Sequence, residues 1–344
     1  MRTPCGFRVR AALALLTGAG LLASGGPVAA APFYEGKTLT IVVGYDPGGG
    51  YDRMARLMAR YLPKYLPGSP TVVVQNMPGQ ASILAANYLY TMAQPDGLTI
   101  GAVDRNLALA QLSGVQGIRF DVRKFAWIAS VSSESTVLVV RSDLPVTSFA
   151  DLQKLKEPLI VGSSGGGASS HTFPTLLKAY LGANLRVEPR YRSAADFMLA
   201  LERKEVDAVA TTSTTLKALI ERGVARPLVR TRTPEPWLAH LPVDEALAPT
   251  PVARAVLALR SVPETMGRPY VAPPGTPADR LRLLEEAFAK VTADPEAIAE
   301  AAKGKITFEF IPGQGVAKII QEVFSQPPEV LEEFSQHIKI RVEG

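Results

Sequence analysis

The chain has 344 residues, 47% of them hydrophobic, with a formal charge of +5, one cysteine and three histidines. One cysteine excludes a disulfide framework, and histidines at 171, 240 and 337 share no metal-ligand spacing, so neither a metal nor any other cofactor is expected. Most of the charge excess resides in Arg2, Arg8 and Arg10. Without them 34 basic residues face 32 acidic ones, which removes the case for a nucleic-acid partner.

The first element is a leader. Three arginines precede an apolar run at 11–23, and the small residues Val28, Ala29 and Ala30 precede Ala31, which predicts a signal peptide over 1–30, cleavage near Ala30 and a periplasmic location. The run has thirteen residues, is interrupted by Gly18 and Gly20, and falls short of the ~20 needed to span a bilayer. Cys5 lies ahead of the run, away from the cleavage point where a lipid-anchored protein needs its cysteine. A mature chain of this size exceeds what one hydrophobic core usually serves, so two lobes are expected.

From Thr38 the chain alternates β-branched runs with amphipathic helical patterns, the signature of parallel α/β units. A strand at Thr38–Val43 is followed by a helical face at Met54, Leu57, Met58, Tyr61 and Leu62, which Pro63 should end or kink. A strand at 71–75, a helix at 81–92 and a strand at 98–103 complete one half. The second half opens at 137–140, with Ser148 and Asp151 in a capping-box arrangement. Strands are expected at 159–162, 186–190 and 206–210, and helices at 169–181, from Ser193 to 203, and at 214–222. Residues 270–272 are extended again. Helices should then occupy 278–293, 296–303, 316–324 and 328–338, whereas 227–263 carries no clear pattern.

Two loops stand out chemically. Gly48, Gly49 and Gly50, flanked by Tyr45, Asp46, Tyr51 and Asp52, lie between a strand and a helix. Glycines let a ligand approach the backbone, and the helix start offers unpaired N–H groups and a positive dipole end, which together make an anion cradle. The loop lacks the Lys-Ser/Thr pair of a P-loop and the spacing of a dinucleotide fingerprint. The device recurs at Ser164, Gly165, Gly166, Gly167, Ser169 and His171. Other strand ends should point into the same crevice, bringing Asn76, Arg105, Arg192 and Thr212, with the arginines able to form charge-assisted bonds to a carboxylate. Residues 162–166 also satisfy G-x-S-x-G, which would make Ser164 a hydrolase nucleophile. Against that, the polar loop runs on to Ser170 and only His240 and His337 lie downstream as bases, so no catalytic residue is assigned.

Five segments in the same order carry a family resemblance: residues 47–52, 75–79 (QNMPG), 93–97 (AQPDG), 163–171 and 272–277 (APPGTP). With them the chain resembles the extracytoplasmic solute receptors of tripartite tricarboxylate transporters, the TctC or Bug family. The resemblance implies a two-lobed type II periplasmic binding protein fold. One lobe would span 31–134 plus 270–344 and the other 135–269, with crossovers near 132–137 and 268–272. It further implies a monomer without catalysis, a small organic acid held at the two glycine-rich loops, and the membrane subunits of a secondary transporter as partners. The alternative is a stand-alone receptor that presents its ligand to a membrane sensor.

This chain departs from the family pattern at Asp46-Pro47 before the glycines, at Tyr51 after them, at Arg105 and at residues 211–214. The departures weaken a dicarboxylate ligand and leave aromatic or amino-bearing carboxylates open. Asp46 should then face solvent or an amino or hydroxyl group on the ligand.

Overall fold

In the computed structural model, residues 31–165, 167–304, 306 and 308–338 are described; the leader and Gly166 lie outside them. The β-branched runs form the strands β1 (Thr38–Val43), β2 (Thr71–Asn76), β3 (Thr99–Ala102), β4 (Ala126–Ser130), β5 (Thr136–Arg141), β6 (Leu159–Gly162), β7 (Leu185–Glu188), β8 (Ala208–Thr212), β9 (Ala225–Arg230), β10 (Pro269–Ala272) and β11 (Ile311–Pro312). These build two sheets, ordered β11-β4-β10-β3-β1-β2 and β7-β6-β8-β5-β9.

The two sheets repeat one plan. β1 pairs in parallel with β2 and β3, and β6 with β7 and β8. The strand that the chain supplies on crossing from one sheet to the other enters antiparallel: β5 between β8 and β9, and β10 between β3 and β4, with Tyr270 opposite both Ala102 and Ala129. This is the two-lobed α/β architecture of a type II periplasmic binding protein.

Packing follows the sequence pattern. Met54, Leu57, Met58 and Leu62 of the helix Gly50–Tyr65 are buried in one cluster with Leu39 and Ile41 of β1 and with Leu284 and Phe288 of the helix Ala278–Ala293. Pro63 does not end its helix. It sits in the last turn, and the Leu66 N–H still reaches the Leu62 carbonyl. The illegible stretch resolves into β9, short 3-10 turns and the helix Pro251–Ser261. The helix Pro328–Ile338, which the resemblance would place with the first lobe, packs instead on the helices Ser169–Leu181 and Pro251–Ser261, with Phe334 and Ile338 buried in the cluster that holds Phe173 and Leu177. Among the described residues, no helix is long and apolar enough to cross a membrane.

Candidate functional site

Both glycine-rich loops stand at the ends of parallel strands, where each chain turns into a helix. The helix Gly50–Tyr65 starts at Gly49 and the helix Ser169–Leu181 at Ala168, and neither start carries a side-chain cap. Their first N–H groups are therefore unclaimed by a capping side chain, and Gly49, Gly50, Ala168 and Ser169 line one cleft.

The first loop is held from behind. Buried Asp52 accepts the Gly48 N–H at 2.9 Å, Arg56 Nε at 3.0 Å and Asn76 Nδ2 at 2.9 Å, while Asn76 Nδ2 also reaches the Tyr45 carbonyl at 2.8 Å. Burial works to raise the Asp52 pKa, but the bonds from Arg56, Gly48 and Asn76 hold it below the usual carboxylate range. Gly48 takes φ +90°, which a side chain would resist. Asp52, Asn76 and Gly48 thus brace the cradle and do not line it.

Tyr45 and Tyr51 turn inward and stack, with ring centroids 5.1 Å apart at 22°. The Tyr45 hydroxyl donates to Asp104 Oδ2 at 2.5 Å, and the Tyr51 hydroxyl accepts the Arg105 N–H at 3.0 Å. Burial pushes both phenols well above their ordinary pKa, so both stay protonated. Arg105 is 1% exposed. It donates to the Glu134 carbonyl at 3.1 Å, Thr136 Oγ1 at 2.8 Å and Ser169 Oγ at 3.4 Å, and lies 3.6 Å from Glu264.

Arg268 completes the floor. Its Nη2 is 3.0 Å from both Glu134 oxygens and donates to Thr212 Oγ1 at 3.2 Å, and its guanidinium lies 5.0 Å over the Tyr51 ring. Glu134 precedes β5 and Arg268 precedes β10, so this buried pair ties together the two segments where the chain crosses between sheets. Behind it, Glu264 takes Arg260, Thr231 and the Thr136 N–H.

In the second loop, Ser164 donates its N–H to Ser170 Oγ at 3.1 Å, and the two hydroxyls are 3.1 Å apart. Among the described residues no histidine hydrogen-bonds to Ser164. Ser169 Oγ accepts Asn106 Nδ2 at 3.0 Å, and a Cβ on Gly167 would stand 3.2 Å from Ala110, so the two lobes meet closely here. Burial lowers the His171 pKa to about 4, leaving it uncharged at neutral pH.

The resulting cleft is narrow, with a cavity volume of about 50 Å³. Of the residues singled out from the sequence, it brings together Tyr45, Gly49, Gly50, Tyr51, Arg105, Ser164, Ser169 and Thr212. Gly48, Asp52, Asn76, Gly165, Gly167, His171 and Arg192 lie outside its lining, and Gly166 lies outside the described residues. Asp46 faces neither solvent alone nor the cleft: it pairs with Arg192 from the other lobe. Sequence reasoning missed Arg268, Phe197 and Thr215 as lining residues. The only signal for Arg268 was its place at the second crossover. Among the described residues, no group of three or more His, Cys, Asp or Glu side chains is placed to hold a metal ion.

The chain is similar to known proteins over most of its length. The family described as tripartite tricarboxylate transporter family receptor (TctC) matches residues 54–335. A UPF0065 protein of Bordetella pertussis is 29% identical over 272 residues, covering 76% of this chain and 78% of its own. The structure of the periplasmic binding protein BugD superposes with a TM-score of 0.73 at 23% identity, covering 89% of this chain and all of that one. R. palustris Rpa4515 with adipate also gives a TM-score of 0.73, at 22% identity and 89% and 99% coverage.

Proposed function

Because the chain belongs to the tripartite tricarboxylate transporter receptor family, we propose that it is exported to the periplasm, captures a small carboxylate-bearing solute there and delivers it to the membrane subunits of a secondary transporter. The observation that carries this reading is the pair of helix starts at Gly49 and Ala168, both without side-chain caps and both in the lining of one cleft. Each offers backbone donors and a positive dipole end, and the walls between them supply the hydroxyls of Ser164, Ser169, Ser170 and Thr212 and the Arg268 guanidinium. A structural relative that holds adipate is consistent with that chemistry. Closure of two lobes on a ligand bound to both is the motion such a receptor uses, and the monomer is sufficient for it.

Mass spectrometry of ligand released from freshly purified mature protein, followed by calorimetry with the acids it identifies, tests the reading. A carboxylate bound at micromolar concentration or below is expected. If no carboxylate binds below millimolar concentration, the reading is wrong.

A further inference from the structure

Charge in the cleft is already closely matched before any ligand enters. The lining carries two guanidinium groups, Arg105 and Arg268, and one carboxylate, Asp104. Arg105 is committed to Glu134, Thr136, Ser169 and Glu264. Asp104 accepts the Tyr45 hydroxyl, the Asn106 N–H at 2.7 Å and Asn106 Nδ2 at 2.9 Å, with no arginine bonded to it. At the mouth Arg192 is taken by Asp46. Arg53 is exposed, lies outside the lining, and has Glu134 as its opposing charge.

Of the two guanidinium groups in the lining, Arg268 is the one that keeps donor capacity. Glu134 and Thr212 engage only its Nη2, and among the described residues Nη1 has no hydrogen-bond partner. The guanidinium lies flush against Gly50, where a Cβ would be 2.5 Å from Nη2 and 2.6 Å from Nη1. This glycine therefore admits the protein's own arginine beside the uncapped helix start. Apart from Asp104 and the two arginines the lining is uncharged, with Ser and Thr hydroxyls beside the stacked Tyr45 and Tyr51 and Phe197 from the other lobe.

We infer that the cleft, read as the carboxylate site proposed above, selects a monocarboxylate with a flat, uncharged body, its carboxylate held by Arg268 and the helix starts and its body against Tyr45, Tyr51 and Phe197. A second carboxylate would find in the lining only Arg105, already bonded to Thr136 and Ser169 and 3.6 Å from Glu264, and would share a low-dielectric cleft with Asp104, where like charges are costly. Arg268 is the specificity-determining residue of this arrangement.

Calorimetry on the mature protein with matched acids tests it. Hexanoate and adipate share a carbon chain, 3-phenylpropionate and benzylmalonate share a phenyl skeleton, and phenylalanine adds an ammonium group to that skeleton. Hexanoate and 3-phenylpropionate are expected to bind at least about tenfold tighter than adipate and benzylmalonate, 3-phenylpropionate at least as tightly as phenylalanine, and Arg268→Gln to lose at least about tenfold in affinity for 3-phenylpropionate, with Arg268→Lys recovering part of it. If adipate or benzylmalonate binds as tightly as its partner, or phenylalanine binds more tightly than 3-phenylpropionate, the selectivity is wrong while the receptor reading stands. Unchanged affinity in Arg268→Gln overturns the role of the arginine. If no carboxylate binds below millimolar concentration, both readings fall. The comparison among acids uses the unaltered protein, so it remains decisive even if a variant at this buried position folds poorly.

Discussion

Arg192 Nη2 lies 3.0 Å from Asp46 Oδ1, joining the segment after β7 to the loop after β1 across the mouth of the cleft. The acid beside the glycine loop, which from sequence seemed to address solvent or ligand, answers instead to a cation of the opposite lobe. Arg192 is 73% exposed at its side chain, so the pair contributes at most about 1 kcal/mol to stability. Its effect is expected on closure, because the pair joins one lobe to the other. Arg192→Ala is expected to leave the melting midpoint nearly unchanged and to weaken ligand binding by up to about fivefold, with the difference shrinking between about 20 mM and about 500 mM salt. Calorimetry at the two salt concentrations measures it; a salt-independent loss would place Arg192 on the ligand.

Gly267 sits at φ +37° immediately before Arg268, and a Cβ there would stand 2.1 Å from the Ser132 carbonyl oxygen. The clash is with the backbone of the other crossing segment, so no side chain can swing away to relieve it. Gly267→Ala is expected to cost at least about 2 kcal/mol in urea unfolding. Gly49→Ala is the control: its Cβ meets only the Asp46 carbonyl at 3.9 Å, and its stability should match the parent.

The Tyr45 hydroxyl is one of three donors to the buried Asp104 carboxylate. Tyr45→Phe keeps the stack on Tyr51 and removes that donor. A loss of about 1–3 kcal/mol is expected from equilibrium unfolding, the range for a buried hydrogen bond to a charged group. A loss near zero would mean that water replaces the lost donor.

Asp244 is fully buried, accepts the Glu245 N–H through Oδ1, and has no hydrogen-bond partner at Oδ2. Burial pushes its pKa up to about 7, with Glu264 and Glu245 adding to the shift and Arg260 opposing it. A carboxyl whose folded pKa is raised contributes full stability below its unfolded value near 3.8 and loses it as pH rises through about 7. Asp244→Asn should therefore gain on the parent progressively from about pH 4 to pH 8, by no more than about 4 kcal/mol. His171 titrates with the opposite sign, since its depressed pKa removes stability as pH falls from about 6.5 through about 4. The difference between variant and parent, followed by urea unfolding across pH, isolates Asp244. A flat difference would mean that Asp244 pairs with Arg260 as an anion.

Local chemistry was readable along the chain where it depends on near neighbours. The strand at Thr38–Val43, the buried face at Met54, Leu57, Met58 and Leu62, the capping box at Ser148 and the helix start at Ser193 all appear as their residue types require. The start of the second helix was placed early, because Gln80, Ala81 and Ser82 all take positive φ before the helix opens at Ile83, a left-handed turn that no residue type there announces. Gly50 was legible as a close approach, but what approaches is Arg268.

The sequence by itself determined the alternation of strand and helix, the two glycine-rich helix starts and the family to which they belong, because backbone preference and hydrophobic period act over a few residues. Tertiary structure alone decided which charges meet. Arg105 with Glu264, Arg268 with Glu134 and Arg192 with Asp46 are each joined across more than a hundred residues, by the two antiparallel strands that the crossing segments insert and by the approach of facing loops. Such pairings settle how much of each cation remains available to a ligand, since a carboxylate already beside an arginine weakens its pull on the next anion.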